Sequence, residues 1–158
     1  MSPKAFTVRS NDGIMSVLAT DVNIYISGEL VCMLISAIWD TGATSCAITK
    51  KVVNDLGLVA TGISEVHTAN GIVCQNTYTI DVGLPNGVIV SGIAATEVDA
   101  LTDSVDALIG MDVITLGDFS ITNHNGITCM SFRIPSSHEI DYLKSPFFGI
   151  IKVNTPEN

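Results

Sequence analysis

The chain is short of basic residues. Its 158 residues include 7 lysines and arginines against 16 aspartates and glutamates, a formal net charge of -9 at pH 7. Phosphate recognition needs clustered Lys and Arg, and the longest such cluster is Lys50-Lys51. This argues against nucleic acid and anionic membrane as partners. Long apolar runs are missing too. Nothing approaches the ~20 uninterrupted apolar residues of a membrane helix, and the opening stretch MSPKAFTVRSNDG lacks the apolar segment of a secretory signal. A cytoplasmic location is the expectation. The 4 cysteines, at 32, 46, 74 and 129, form no C-x-x-C pair, so reduced thiols are expected rather than a disulfide frame. The 3 histidines (67, 124, 138) are scattered. His124 and Cys129 could supply two ligands, but no second pair completes a zinc site, and no metal is expected.

Apolar residues make up 47% of the chain and charged ones 15%, a composition that buries a core and excludes disorder. Val, Ile and Thr recur in short runs, which favours strands. Phe6–Arg9, Ile14–Leu18 and Val22–Ile26 read as strands, and Leu30–Trp39 as a longer, largely buried one. Thr49–Leu56 reads as a helix capped by Thr49 and stopped by Gly57, with Val52, Val53 and Leu56 on one face. Asn70-Gly71 is a hairpin dipeptide between VHTA and IVCQNTYTIDV. A second turn at Pro85-Asn86-Gly87 leads into VIVSGIAATEV. Ala107–Gly110 reads as a short apolar strand, Met111–Leu116 as a short helix, and Phe119–Thr122 with Ile127–Ile134 as a last hairpin. Residues 1–134 are expected to form one mostly β domain and 135–158 a C-terminal extension ending in the apolar stretch Phe147–Val153, a candidate pairing strand.

One stretch calls for a chemical reading. In AIWDTGATSCAI, Ala37 to Ile48, an acid ends an apolar run and small, turn-prone residues follow it. A plain turn explains Asp-Thr-Gly by itself. It does not explain the elements that follow in order: a helix closed by Leu56-Gly57-Leu58, the Ala69-Asn70-Gly71 hairpin, then Leu108-Ile109-Gly110 running into Met111-Asp112-Val113-Ile114. That ordered set, over about residues 20–134, resembles the retropepsin-like aspartic proteases, the single Asp-Thr-Gly family that includes the proteases of retroviruses.

The resemblance implies a closed β-barrel acid-protease half with one or two short helices and a flap hairpin. It implies an aspartic endopeptidase that activates water by general acid/base chemistry and needs no cofactor. Two carboxyls in contact share a proton, and this chain has one Asp-Thr-Gly and no Asp-Ser-Gly. A homodimer would bring Asp40 against its own copy across a two-fold axis, with a peptide or unfolded protein as substrate. Asp40, Thr41 and Gly42 are the implied catalytic residues, Thr41 reaching the partner loop and Gly42 bringing its N–H to the carboxylate. Ala43 and Thr44 would line the substrate groove, Asn70 and Gly71 would sit at the flap tip, and Gly110 would let its strand pass close to the loop. Two features depart from the retroviral pattern. The hairpin has one glycine, Gly71, and Thr44 stands where those enzymes carry an acid. They motivate an alternative reading, a non-hydrolytic peptide-binding or assembly module. Elsewhere, Cys46 reads as a packed thiol rather than a nucleophile paired with His67, and Asp112 as a partner of the short helix's positive end. Trp39 reads as core or groove wall. Asp99, Asp103 and Asp106 read as a solvated acidic loop.

Overall fold

Alternation of inward and outward side chains builds the strands. In the computed structural model, which describes residues 2–68, 71–102 and 104–144, strand β1 (Lys4–Arg9) is followed by β2 (Ala19–Ile26), β3 (Cys32–Trp39) and the short β4 (Ala47–Thr49). Helix α1 (Lys50–Leu56) leads to the hairpin of β5 (Gly62–Thr68) and β6 (Gly71–Gly83). Then come β7 (Ile89–Val98), β8 (Ala107–Ile109), the single-turn helix α2 (Met111–Ile114), β9 (Asp118–Thr122) and β10 (Cys129–Ile134).

Seven strands run in the order β2-β3-β8-β4-β7-β6-β5, and β6 also pairs with β2. That extra pairing closes six of them into a barrel, with β5 outside it on the first half of β6. Closure satisfies the strand edges internally. Every second residue points in: Val22 and Ile24 from β2, Ile35 and Ala37 from β3, Tyr78, Ile80 and Val82 from β6. The three-stranded sheet β1-β10-β9 packs against one end of the barrel. The joint is aromatic. Trp39, 4% exposed, stacks on Phe119 at 5.7 Å between centroids and meets Phe132 at 5.0 Å and Phe6 at 5.7 Å. Its indole N–H donates to the Thr20 hydroxyl at 2.9 Å, so the buried ring nitrogen is satisfied. Trp39 is core.

Most expected elements form, with some corrections. Ile14–Leu18 is a loop, not a strand. Its candidate neighbours have other partners: β1 pairs with β10, and β2 with both β3 and β6. The Met15 N–H instead donates to the Thr128 hydroxyl, and Ile14 is 58% exposed. The expected strand Leu30–Trp39 begins at Cys32 and is buried only in its second half, with Leu30 95% and Leu34 64% exposed. Helix α2 ends at Ile114 rather than Leu116. Gly57 stops α1 with a left-handed φ of 64°. Thr49 precedes α1 but makes no side-chain cap; its hydroxyl donates to Asp106 Oδ1 at 3.0 Å. Asp106 also pairs with Lys51 at 2.8 Å, and Asp99 with Lys50 at 2.5 Å. These two acids therefore tie the 99–106 loop to α1 rather than forming a merely solvated patch; Asp103 lies outside the described residues. So does the expected strand Phe147–Val153.

Among the described residues, none after Ile134 is in a strand. The start of the extension is held by Asp118, which accepts from Ser136 Oγ at 2.5 Å, Ser137 N at 2.9 Å and the Arg133 guanidinium. These donors, Ser136 first, hold its carboxyl well below the ordinary carboxylate range. A depressed folded-state pKa adds stability above the unfolded value and loses it as pH falls through the folded one. Asp118→Asn is therefore expected to lower the melting temperature at pH 7, and the gap to wild type should narrow steadily below pH 3.8; thermal melts across pH check this. Trp39→Ala is expected to cost about 3–5 kcal/mol in urea denaturation, since it empties the joint between barrel and small sheet.

Candidate active site

The sequence places Asp40 directly after the most buried aromatic of β3, at the point where the strand leaves the barrel. Trp39 faces the core, so Asp40 faces the other way and is half-buried. Its backbone N–H donates to the Ile109 carbonyl at 3.0 Å, continuing the parallel pairing of β3 with β8. A tight turn follows, with Ala43 N–H donating to the Asp40 carbonyl at 3.2 Å. The Gly42 N–H donates to Asp40 Oδ1 at 2.8 Å and orients that oxygen. A Cβ on Gly42 would sit 3.1 Å from that oxygen, tighter than ordinary van der Waals contact. Thr41 is exposed beside it.

The far end of the loop is fixed by the residues after β8. Met111 N–H donates to the Ala43 carbonyl at 2.8 Å. Gly110 lies so close to the Ser45-Cys46 backbone that a Cβ there would come within 2.5 Å of the Ser45 carbonyl carbon and 2.6 Å of its oxygen. This is the close passage expected for Gly110, directed at the end of the loop. Asp112 accepts from Cys46 N–H at 2.9 Å, from the Cys46 thiol at 3.1 Å and from Val113 N–H at 3.0 Å. It does engage its own helix, as expected, and it also binds Cys46 across 66 residues of sequence. Cys46 is buried, and burial pushes its thiol far up, so it stays protonated and lacks the thiolate a nucleophile needs. The side chain of His67, its imagined partner, lies outside those described.

Beside the loop is a cleft of about 430 Å³. Gly42 to Ala47 and Leu108 form one side, Thr96 and Val98 of β7 another, and Ser64, Glu65 and Gln75 of the β5–β6 hairpin cover it. Ala43 and Thr44 line this cleft. Asp40 adjoins the lining, which starts two residues later at Gly42. Gly71 is directly opposite Thr68, which leaves a two-residue connection at the hairpin end. Gly71 is not a cleft residue, and Asn70 lies outside the described residues. The cleft residues absent from the sequence reading are Ser45, Ala47, Ser64, Glu65, Gln75, Thr96 and Val98. A turn at Asn70-Gly71, as read from the sequence, would set Ser64 opposite Thr77; the structure pairs Thr68 with Gly71 and therefore Ser64 with Gln75. Among the described residues, no group of three or more His, Cys, Asp or Glu could hold a metal ion, and no helix is long and apolar enough to cross a membrane.

A closed six-stranded barrel, an Asp-Thr-Gly turn leaving β3 and a hairpin covering the adjoining cleft define a retropepsin-like fold. Residues 22–115 match the profile of the family described as "gag-polyprotein putative aspartyl protease", and the chain belongs to that family. Among solved structures it is similar to a retropepsin-like aspartic protease from Rickettsia conorii, at 15% identity and a TM-score of 0.50, over 84% of this chain and 96% of that one. A protein of unknown function from Legionella pneumophila matches at 16% identity and a TM-score of 0.35, over 66% of this chain and 87% of that one. No curated protein matches the chain.

Gly110→Ala is expected to destabilise the protein by about 1–3 kcal/mol, because the atoms it meets are backbone and cannot swing aside. Urea denaturation measures this. Gly57→Ala, with open space at its Cβ but a left-handed φ, provides a comparison limited to backbone strain.

Proposed function

We propose that two copies of this chain form an aspartic endopeptidase that cuts peptides or unfolded protein segments. The observation that carries the reading is the state of Asp40. One of its carboxylate oxygens accepts the Gly42 N–H, and among the described residues no hydrogen bond engages the other. Among the described residues no second acid bonds to it; Asp112 is committed to Cys46 and Val113. A lone carboxyl cannot take a proton from water and give one to the carbonyl oxygen in the same step. A second Asp40, brought by a two-fold axis, completes the pair.

In that pair one carboxyl is ionised and the other neutral, because like charges in contact split their titration. The ionised one takes a proton from water as its oxygen attacks the peptide carbonyl carbon. The neutral one gives its proton to the carbonyl oxygen. Proton return to the amide nitrogen lets the carbon–nitrogen bond break. Thr41, exposed on the turn, is the group that would bond across the axis. Gly42 orients the carboxylate, Ala43 and Thr44 hold substrate, and Asn70 with Gly71 would form the tip of a cover that excludes water. Gly110 positions the loop. Residues 1–134 would carry this function, with 135–158 as an extension.

Asp40→Asn is expected to reduce cleavage of a random peptide library by about 10²–10⁴-fold while leaving the melting temperature within a degree or two. Mixing wild type with Asp40→Asn tests the dyad itself. If each site takes one Asp40 from each chain, activity falls as the square of the wild-type fraction. A linear fall would show that one chain suffices and end the proposal. A wild-type protein that binds library peptides and cleaves none would instead be a peptide-binding module.

A further inference from the structure

The cleft beside the Asp40 loop contains an acceptor without a donor. Gln75 lines it, and Gln75 Oε1 is buried with no hydrogen bond. Folded proteins pair nearly all such atoms, and an unpaired one costs free energy. The register explains where this side chain goes. Gln75 is directly opposite Ser64, and directly opposed residues of an antiparallel pair share a face. Ser64 lines the same cleft.

Among the described residues no donor is within hydrogen-bond reach of that oxygen. Lys50 borders a smaller recess beside Gln75, but it is paired with Asp99 at 2.5 Å. No basic residue lines the cleft itself. Glu65 lines the cleft too, but its carboxylate is an acceptor, and Cys46 holds its proton against Asp112. The cleft thus has an apolar side at Ala47, Val98 and Leu108, hydroxyls at Ser64 and Thr96, and one acid, Glu65.

We infer that this cleft is a specificity pocket for a substrate side chain bearing an N–H or O–H donor, with Gln75 Oε1 as its acceptor. The inference rests on the peptidase reading for the substrate being a peptide. The apolar side takes the stem of that side chain and the buried oxygen takes its donor. A near-isosteric apolar side chain, Met for Gln or Val for Thr, would leave the oxygen as it is in the free protein. It would lose the gain of pairing it.

The test uses the full chain carrying Asp40→Asn as a trap, immobilised and offered a biotinylated octapeptide library. Each position of the library is drawn from the matched pairs Gln/Met, Asn/Leu and Thr/Val. Captured peptides are sequenced by mass spectrometry. The expected result is enrichment of the donor member of each pair at one position by about tenfold, the factor for one hydrogen bond of ordinary net strength. Adding Gln75→Leu should remove that enrichment at that position alone. Adding Gln75→Glu, which keeps the acceptor and adds charge, should keep it and, in a library that includes Lys, draw lysine to the same position. Thermal melts verify that each variant is folded. No capture, no donor preference, or a preference unchanged by Gln75→Leu overturns the inference. The two proposals fail separately. Donor-selective capture without wild-type cleavage removes the peptidase and leaves the pocket, whereas cleavage without donor selectivity removes the pocket and leaves the peptidase.

Discussion

Strand β8 and the turn after it grip both ends of the loop that carries Asp40, and the candidate site depends on that grip. Ile109 accepts from the Asp40 N–H at one end, and Asp112 accepts from the Cys46 N–H at the other. Between them, Met111 donates to the Ala43 carbonyl and Gly110 rests on the Ser45-Cys46 backbone. The arrangement is possible because β8 lies between β3 and β4, parallel to one and antiparallel to the other. One three-residue strand thus bridges β3 and β4 within the barrel and fixes the Asp-Thr-Gly turn. A side chain at position 110 would separate two elements that have to touch. The same contacts set one side of the cleft, since Leu108 and the 42–47 loop line it together.

The charges follow the same division between scaffold and site. Lys50, Lys51, Arg133 and Lys144, four of the 7 basic residues, are all in ion pairs. Two of those pairs tie the 99–106 loop to α1, one joins β9 to β10, and one lies within the extension. Pairs this exposed add little energy each, but they leave few free cations near the cleft. Asp40 therefore has no basic neighbour among its hydrogen-bond partners, and its single donor is a neutral backbone N–H. A lysine or arginine at that place would fix the carboxylate as an ion and remove its use as a proton donor. A second carboxyl does the reverse, since it forces one of the two to keep a proton.

Much of this was legible in the sequence, for identifiable reasons. Glycine and asparagine punctuate the chain where the backbone must turn, so Gly57, Asn70-Gly71 and Asn86-Gly87 mark the end of α1 and the two β6 hairpins. Short β-branched runs next to turn residues marked β2, β6 and β7. The errors arose where tertiary partners decide. Ile14–Leu18 has strand-like residues but no open edge to join. Ala47–Thr49 is too short to show a period and is a strand only because β7 and β8 flank it. Thr49 has the composition of a cap, yet Asp106, 57 positions away, takes its hydroxyl. The position of Asp40 was readable from its motif. The cleft beside it was not, because its walls come from β5, β6 and β7 and meet only after the barrel closes.

The two aspartates flanking β8 illustrate how environment rather than identity assigns a role. Asp40 and Asp112 each follow an apolar strand end, and each accepts a backbone N–H close to itself in sequence. Asp112 goes on to accept a second N–H and a thiol from Cys46, so both its oxygens are occupied. A carboxylate with every position filled holds chains together and has nothing left for a substrate. Asp40 sits at the other end of the same loop with one donor on one oxygen, half-open to solvent. Their surroundings differ by two hydrogen bonds from Cys46, and those bonds exist because Gly110 lets the loop lie against the turn that carries Asp112.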